Sequence, residues 1–231
     1  MSKHDLQDMD RRDGHYHLEG EKLVSVTTAG NALAKPALIN WAARQTALAI
    51  FDDPYTYDTV EKAVAAHSLR KGEAAERGKA VHYLVEQWAK GTLPPQNALA
   101  PAYSAYEEGF RKFLRAWDPK TLYSEVVLRN LTHRYAGRVD WIGTLGTETY
   151  ILDFKTSKAV WKDQGLQLVA YKNAEELRPG PRGTPFIPMP KVDHTAVVLI
   201  PGDGTFDFKM VDEPFDVFLA LKDVHKWWTS E

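Results

Sequence analysis

Gly137-Arg138-Val139-Asp140-Trp141-Ile142-Gly143-Thr144-Leu145 runs into Gly146-Thr147 and returns as Glu148-Thr149-Tyr150-Ile151-Leu152-Asp153-Phe154-Lys155-Thr156. Two strand-forming segments joined by two residues, glycine first, predict a hairpin closed by a type II′ turn. Facing residues in such a hairpin have numbers with a constant sum, so Leu145 is expected opposite Glu148 and Asp140 opposite Asp153. Directly opposed Cβ atoms lie about 4.5–5.5 Å apart, where two bare carboxylates repel. A positive charge is therefore expected between them. Alternation places Asp153 and Lys155 on one face, and Leu152 and Phe154 on the other. By the same rule Trp141 points away from Asp140, toward the core. Two carboxylates with a lysine beside them are the layout expected of a divalent-metal hydrolytic site.

Outward from this hairpin, a strand is predicted over 124–129 and a helix over 164–177. Upstream, 15–26 reads as a small hairpin turning at Glu19-Gly20, and the helical pattern covers 33–50, 59–69, 74–89 and 102–117, with glycine or proline breaks between. Residues 178–190 hold five prolines and predict an irregular loop. Strands are expected at 194–200 and 205–210, and Pro214, after Asp212 and Glu213, opens a last amphipathic helix. Helices followed by a largely antiparallel sheet that carries the acidic residues predict an α/β or α+β core. A solvated tail over 1–13 and one domain over 14–231 are expected, the latter divided into 14–118, a core at 122–177, the loop at 178–192 and a closing section at 193–231.

The 231 residues, 44% hydrophobic, suffice for one real core. There is no cysteine, which excludes disulfides and any thiolate-held zinc or iron–sulfur cluster. The charged opening does not resemble a signal peptide and no apolar run is of spanning length, so a cytoplasmic protein is expected. A net charge of -2 argues against a uniformly basic coat, while leaving room for a local basic groove.

Four linked segments resemble the RecB-type branch of the PD-(D/E)XK nucleases: Gly137-Arg138-Val139-Asp140, Asp153-Phe154-Lys155-Thr156, Gln167-Leu168-Val169-Ala170-Tyr171, and upstream Arg77-Gly78-Lys79-Ala80-Val81-His82-Tyr83-Leu84-Val85-Glu86. The opening Val24-Ser25-Val26-Thr27-Thr28, followed by Lys35-Pro36-Ala37-Leu38-Ile39-Asn40-Trp41, is similar to phage-encoded members. The resemblance implies a restriction-endonuclease-like core, a mixed sheet flanked by helices after an N-terminal helical region. It implies DNA hydrolysis, exonucleolytic in this branch, with one or two magnesium or manganese ions, in phage recombination, replication or DNA degradation. It assigns metal binding to His82, Asp140, Asp153 and the main-chain carbonyl of Phe154, makes Lys155 the catalytic lysine, and sets Gln167 and Tyr171 in the DNA groove. The iron–sulfur cluster of some members is not carried over. DNA is the expected partner, with a recombinase or single-strand-annealing protein beside it; self-association, as in ring-shaped phage exonucleases, stays open.

The residue types suit these roles. Aspartates are hard oxygen ligands for magnesium or manganese, and imidazole accepts manganese. Lys155 can hold the attacking water or stabilise charge developing on the phosphate. Glu86, one helical turn after His82, either orients it or serves a second metal; a helical glutamate is otherwise usually solvated. Glu125 begins a strand where the family often has an acidic residue, and a solvated role is equally expected. Arg129, Arg134, Arg138, Lys158 and Lys162 cluster in sequence and can track phosphates. Gln164 lies near Gln167 on the helix, and Trp161 is placed to stack on a base. Trp227 and Trp228 are expected to pack at the C-terminus, and His133 and His194 to be structural. Two other functions remain: an endonuclease on the same core, and a catalytically silent DNA-binding accessory.

Overall fold

The computed structural model describes residues 11–33 and 36–230, and the chain forms two compact units, 34–80 and the remainder. The smaller unit holds helix α2 (Pro36–Asp52) and the first part of helix α3 (Val60–Ala89). Asp53 accepts a hydrogen bond from the Thr56 amide at 3.0 Å in the connection, and Asp58 pairs with Lys62 at 2.7 Å, one turn along. The sequence pattern breaks α3 at Gly72, but the helix runs through it; the glycine faces open space and costs about 1 kcal/mol of propensity, too little to stop 30 residues.

The larger unit is α/β, a mixed sheet flanked by helices. Its strands are β1 (Arg11–Arg12), β2 (His15–Leu18), β3 (Glu21–Ser25), β4 (Lys120–Asn130), β5 (Tyr135–Leu145), β6 (Glu148–Lys155), β7 (Glu176–Arg178), β8 (Ile187–Pro188), β9 (His194–Leu199) and β10 (Asp207–Met210). Its helices are the short α1 (Val26–Ala29), the end of α3 from Val81, α4 (Ser104–Trp117), α5 (Lys162–Lys172) and α6 (Phe215–Thr229). Strand β5 is the hub. Strand β4 pairs antiparallel along one edge, while the other edge is shared by β3, parallel at Tyr135–Ala136, and β6, antiparallel from Trp141 to Leu145. Between those neighbours, residues 137–140 have no ladder partner on that edge among the described residues. Strand β6 continues in parallel to β9, a pairing that requires the crossover supplied by α5.

Alternating side chains feed two cores. Ile151, Val197 and Leu199 join Leu166, Val169 and Phe218 of α5 and α6, whereas Leu152, Phe154, Ala196 and Val198 join Val81, Leu84, Phe110 and Phe113 of α3 and α4. Trp141 is fully buried in the second core, stacked on Trp88 at 5.7 Å between ring centroids. The predicted turn is present: Leu145 faces Glu148, and Gly146 has φ 63.

Several expectations are corrected. Helix α5 stops at Lys172, because Leu177 pairs with Leu128 of β4 and Ile187 of β8; tertiary pairing overrides the helical pattern. The proline-rich stretch is thus partly strand, with Pro188 on the sheet edge, where a missing N–H is tolerated. Arg11 and Arg12 of the expected tail pair with β2, while residues 1–10 lie outside the described residues. Trp227 and Trp228 are exposed, 71% and 78%, because the last turn of α6 runs past the core. No helix among the described residues is long and apolar enough to cross a membrane.

Candidate metal centre

The unshared stretch of β5 ends at Asp140, and the site assembles around it. The hairpin ladder stops at Trp141–Leu152, one position before the expected Asp140–Asp153 pair. Instead of a ladder bond, the Asp140 carboxylate accepts the Phe154 amide at 3.3 Å. Face alternation also slips here: Val139 and Ile142, three residues apart, enter the same core. On the opposite strand Glu125 has a left-handed φ of 51, uncommon for a residue without a short hydrogen-bonding side chain. Its neighbours Ser124 and Val126 pair with Trp141 and Val139, so Glu125 faces Asp140.

His82, Glu125 and Asp140 each offer a ligand atom, all within 4.8 Å of one another. The His82 Nδ1 lies 3.5 Å from the Asp140 Oδ2, and the Arg138 Nε lies 3.3 Å from the Glu125 Oε2. The donors of an octahedron with bonds of about 2.1 Å span at most about 4.2 Å, so small side-chain rotations close this set on an ion. One nitrogen and carboxylate oxygens suit magnesium or manganese.

Asp153 adjoins this group without joining it. It is 2% exposed, and the Lys155 ammonium lies 2.7 Å from both of its oxygens. Only the Oδ1 contact has hydrogen-bond geometry, leaving Oδ2 buried without a directed donor.

The electrostatics agree. Burial, then the charge of Asp140, raises the Glu125 pKa to about 7 against the opposing pull of Arg138 and His82. Burial also raises Asp153 to about 6, with Asp140 adding and Lys155 opposing. For Lys155, burial works downward, but Asp153 and Asp140 outweigh it and hold the ammonium above its usual range. Three carboxylates thus share a partly buried site in which burial first, then the charge of Asp140, makes two of them resist ionisation.

The other predicted residues separate. Glu86 lies outside the three-residue group; it pairs with Lys90 and reaches Glu125 only through its field. Phe154 contributes its amide to Asp140, and its ring packs in the core. Tyr171 does not line an open groove: it is 2% exposed, and its hydroxyl accepts the Gln167 Nε2 at 2.7 Å. The ring fills the space over Gly137, where a Cβ would meet it at 2.5 Å. Gln164 closes the start of α5, its Oε1 accepting the Trp161 amide at 3.1 Å, while Trp161 itself is 57% exposed. Lys158 and Lys162 are exposed. Arg129 leaves the basic set: it is buried, bonded to Glu176 at 2.7 Å and Glu19 at 2.8 Å, and lies over the Phe186 ring. Glu125 is the residue the sequence undervalued, since only the β4 register sets it opposite Asp140.

Fold and site together define an α/β protein whose mixed sheet carries a histidine–carboxylate cluster with a lysine alongside. No family profile matches the chain, and no curated protein does. The crystal structure of SSO0001 aligns with a TM-score of 0.42 and 14% identity over 99% of this chain and 83% of that one, a likeness from which nothing is drawn.

Proposed function

We propose that the chain is a metal-dependent deoxyribonuclease with a PD-(D/E)XK-type core, acting as an exonuclease. The observation that carries this is the convergence of His82, Glu125 and Asp140 within 4.8 Å, beside an Asp153–Lys155 pair at 2.7 Å. A magnesium or manganese ion held there would polarise the scissile phosphate and lower the pKa of a bound water. Asp140 and Glu125 supply anionic oxygens, and His82 the nitrogen. Asp153 holds the Lys155 ammonium at the site, where it orients the attacking water or stabilises charge on the phosphate. Arg138, bridged to Glu125, and the exposed Lys158 are available to backbone oxygens. Gln167 fixes the Tyr171 hydroxyl next to these carboxylates and so supports the site from behind. Phage recombination, replication or DNA degradation is the proposed setting.

The exonuclease reading is tested with end-labelled linear duplex, linear single strand and closed circular DNA, each with magnesium, manganese or EDTA. Metal-dependent loss of linear DNA alone is expected. Cutting of the circle would make the enzyme an endonuclease, and metal-dependent binding without cleavage would make it a silent accessory.

A further inference from the structure

A second basic feature lies at the other end of β5. Lys22, His133, Arg134, Lys222 and Lys226, with His15, line a cavity of about 450 Å³ between the β2–β3 hairpin, the β4–β5 turn and the end of α6. That is within the roughly 300–1,000 Å³ usual for ligand sites. No carboxylate lines it among the described residues. Two of its cations are held structurally: Arg134 pairs with Glu21 at 2.8 Å, and Lys222 donates to the His133 carbonyl at 2.9 Å while lying 3.1 Å from Asp223. Lys22 and Lys226 are exposed and have no acidic partner among the described residues. In a chain of net charge -2, four cations converging without a lining carboxylate form a local anion site.

The same last turn of α6 supplies an independent observation. Trp227 and Trp228, directly after Lys226, are 71% and 78% exposed, their ring centroids 6.1 Å apart. Neither ring lines the cavity, but exposed tryptophans on the helix end that supplies Lys226 to it give the combination that single-stranded nucleic acid uses, cations along the backbone and aromatic faces for the bases.

We propose that this cavity is a second nucleic-acid contact, in which Lys22 and Lys226 hold backbone phosphates of a single-stranded segment while Trp227 and Trp228 stack on its bases. From Arg134 to Asp140 is six residues of chain, about 20 Å at strand rise. At about 3.4 Å per nucleotide along a stacked strand, that is roughly six nucleotides from the metal centre. The proposal takes its polyanion from the nuclease reading, but its binding test does not depend on cleavage.

The test is fluorescence anisotropy of the full chain in EDTA with a labelled single-stranded oligonucleotide and its duplex, over a salt series. Lys22→Ala/Lys226→Ala should weaken single-strand binding about tenfold and lower the log–log salt slope by about 1.4, at about 0.7 per lost contact. Trp227→Ala/Trp228→Ala should weaken it about fivefold or more and leave the slope unchanged. Both variants should melt as the wild type does. Unchanged affinity and slope in both double variants would overturn the proposal, whatever the cleavage assay shows. So would inorganic phosphate raising the melting temperature of the wild type but not of Lys22→Ala/Lys226→Ala, with oligonucleotide binding unaffected, because the cavity would then be a small-anion site.

Discussion

Glu125 faces Asp140 across the β4–β5 ladder, between the Ser124–Trp141 and Val126–Val139 pairs, on a backbone turned to a φ of 51. Like charges directly opposed in a sheet are destabilising, and a left-handed glutamate adds strain. The protein maintains both, together with a buried Asp153, in a space one divalent ion would fill.

Glu125→Gln should therefore stabilise the metal-free protein while weakening it as a metal binder. Raising a carboxyl from 4.5 to about 7 corresponds to roughly 3 kcal/mol of destabilisation at neutral pH, at about 1.4 kcal/mol per unit. Chemical denaturation in EDTA should show a gain of that order. Manganese titration by calorimetry should show affinity reduced about tenfold or more, since one charged ligand is lost.

The same shift fixes a pH dependence. Glu125 and Asp153 both have folded pKa values above their ordinary ones, so their protonated forms are favoured by the fold. Stability from these groups is full below the unfolded values near 4 and is lost as pH rises through about 6 and about 7. Melting temperatures in EDTA should carry a falling contribution between about pH 4 and pH 7, and Glu125→Gln should flatten part of that fall. A wild-type and Glu125→Gln pair with parallel profiles would contradict the assignment.

Gly137→Ala tests the support behind the site. The new methyl would sit 2.5 Å from the Tyr171 Cε1, forcing the ring and its Gln167 bond to shift. Overpacking of this kind costs about 1–3 kcal/mol. The variant should fold with a lowered melting temperature and cleave more slowly.

Arg129→Ala separates structural from nucleic-acid-binding cations. Removing this arginine takes a partner from Glu176 and Glu19, both of which water can reach, and uncovers Phe186, a loss of about 1–3 kcal/mol. Oligonucleotide affinity of the protein that stays folded should be unchanged.

The hairpin that carries Asp140, Asp153 and Lys155 was legible because a two-residue turn sets register and alternation sets faces, both local properties of the chain. The predicted register holds, but the ladder stops one position short of Asp140–Asp153, where the Asp140 side chain accepts the Phe154 amide. Glu125 was named with a solvated role equally expected, because its place opposite Asp140 depends on the register of β4, which no local pattern encodes. Tyr171 and Gln164 share a polar helix face in sequence, yet a glycine on β5 draws one into the core and the helix start claims the other. Neighbours in sequence such as Arg129, Arg134 and Arg138 disperse to a buried ion pair, a distant cavity and the metal centre.

In the proposed reading Lys155 acts in phosphodiester hydrolysis at a metal site formed by His82, Glu125 and Asp140, with Asp153 holding the lysine beside it. The most direct test is the rate at which end-labelled linear DNA is degraded by wild type and Lys155→Ala in manganese, with manganese binding measured on both. The account predicts cleavage by the wild type that EDTA abolishes, a loss of about 100-fold or more in Lys155→Ala, and manganese still bound by that variant. Cleavage by Lys155→Ala at the wild-type rate, or no metal-dependent cleavage by the wild type, would contradict it.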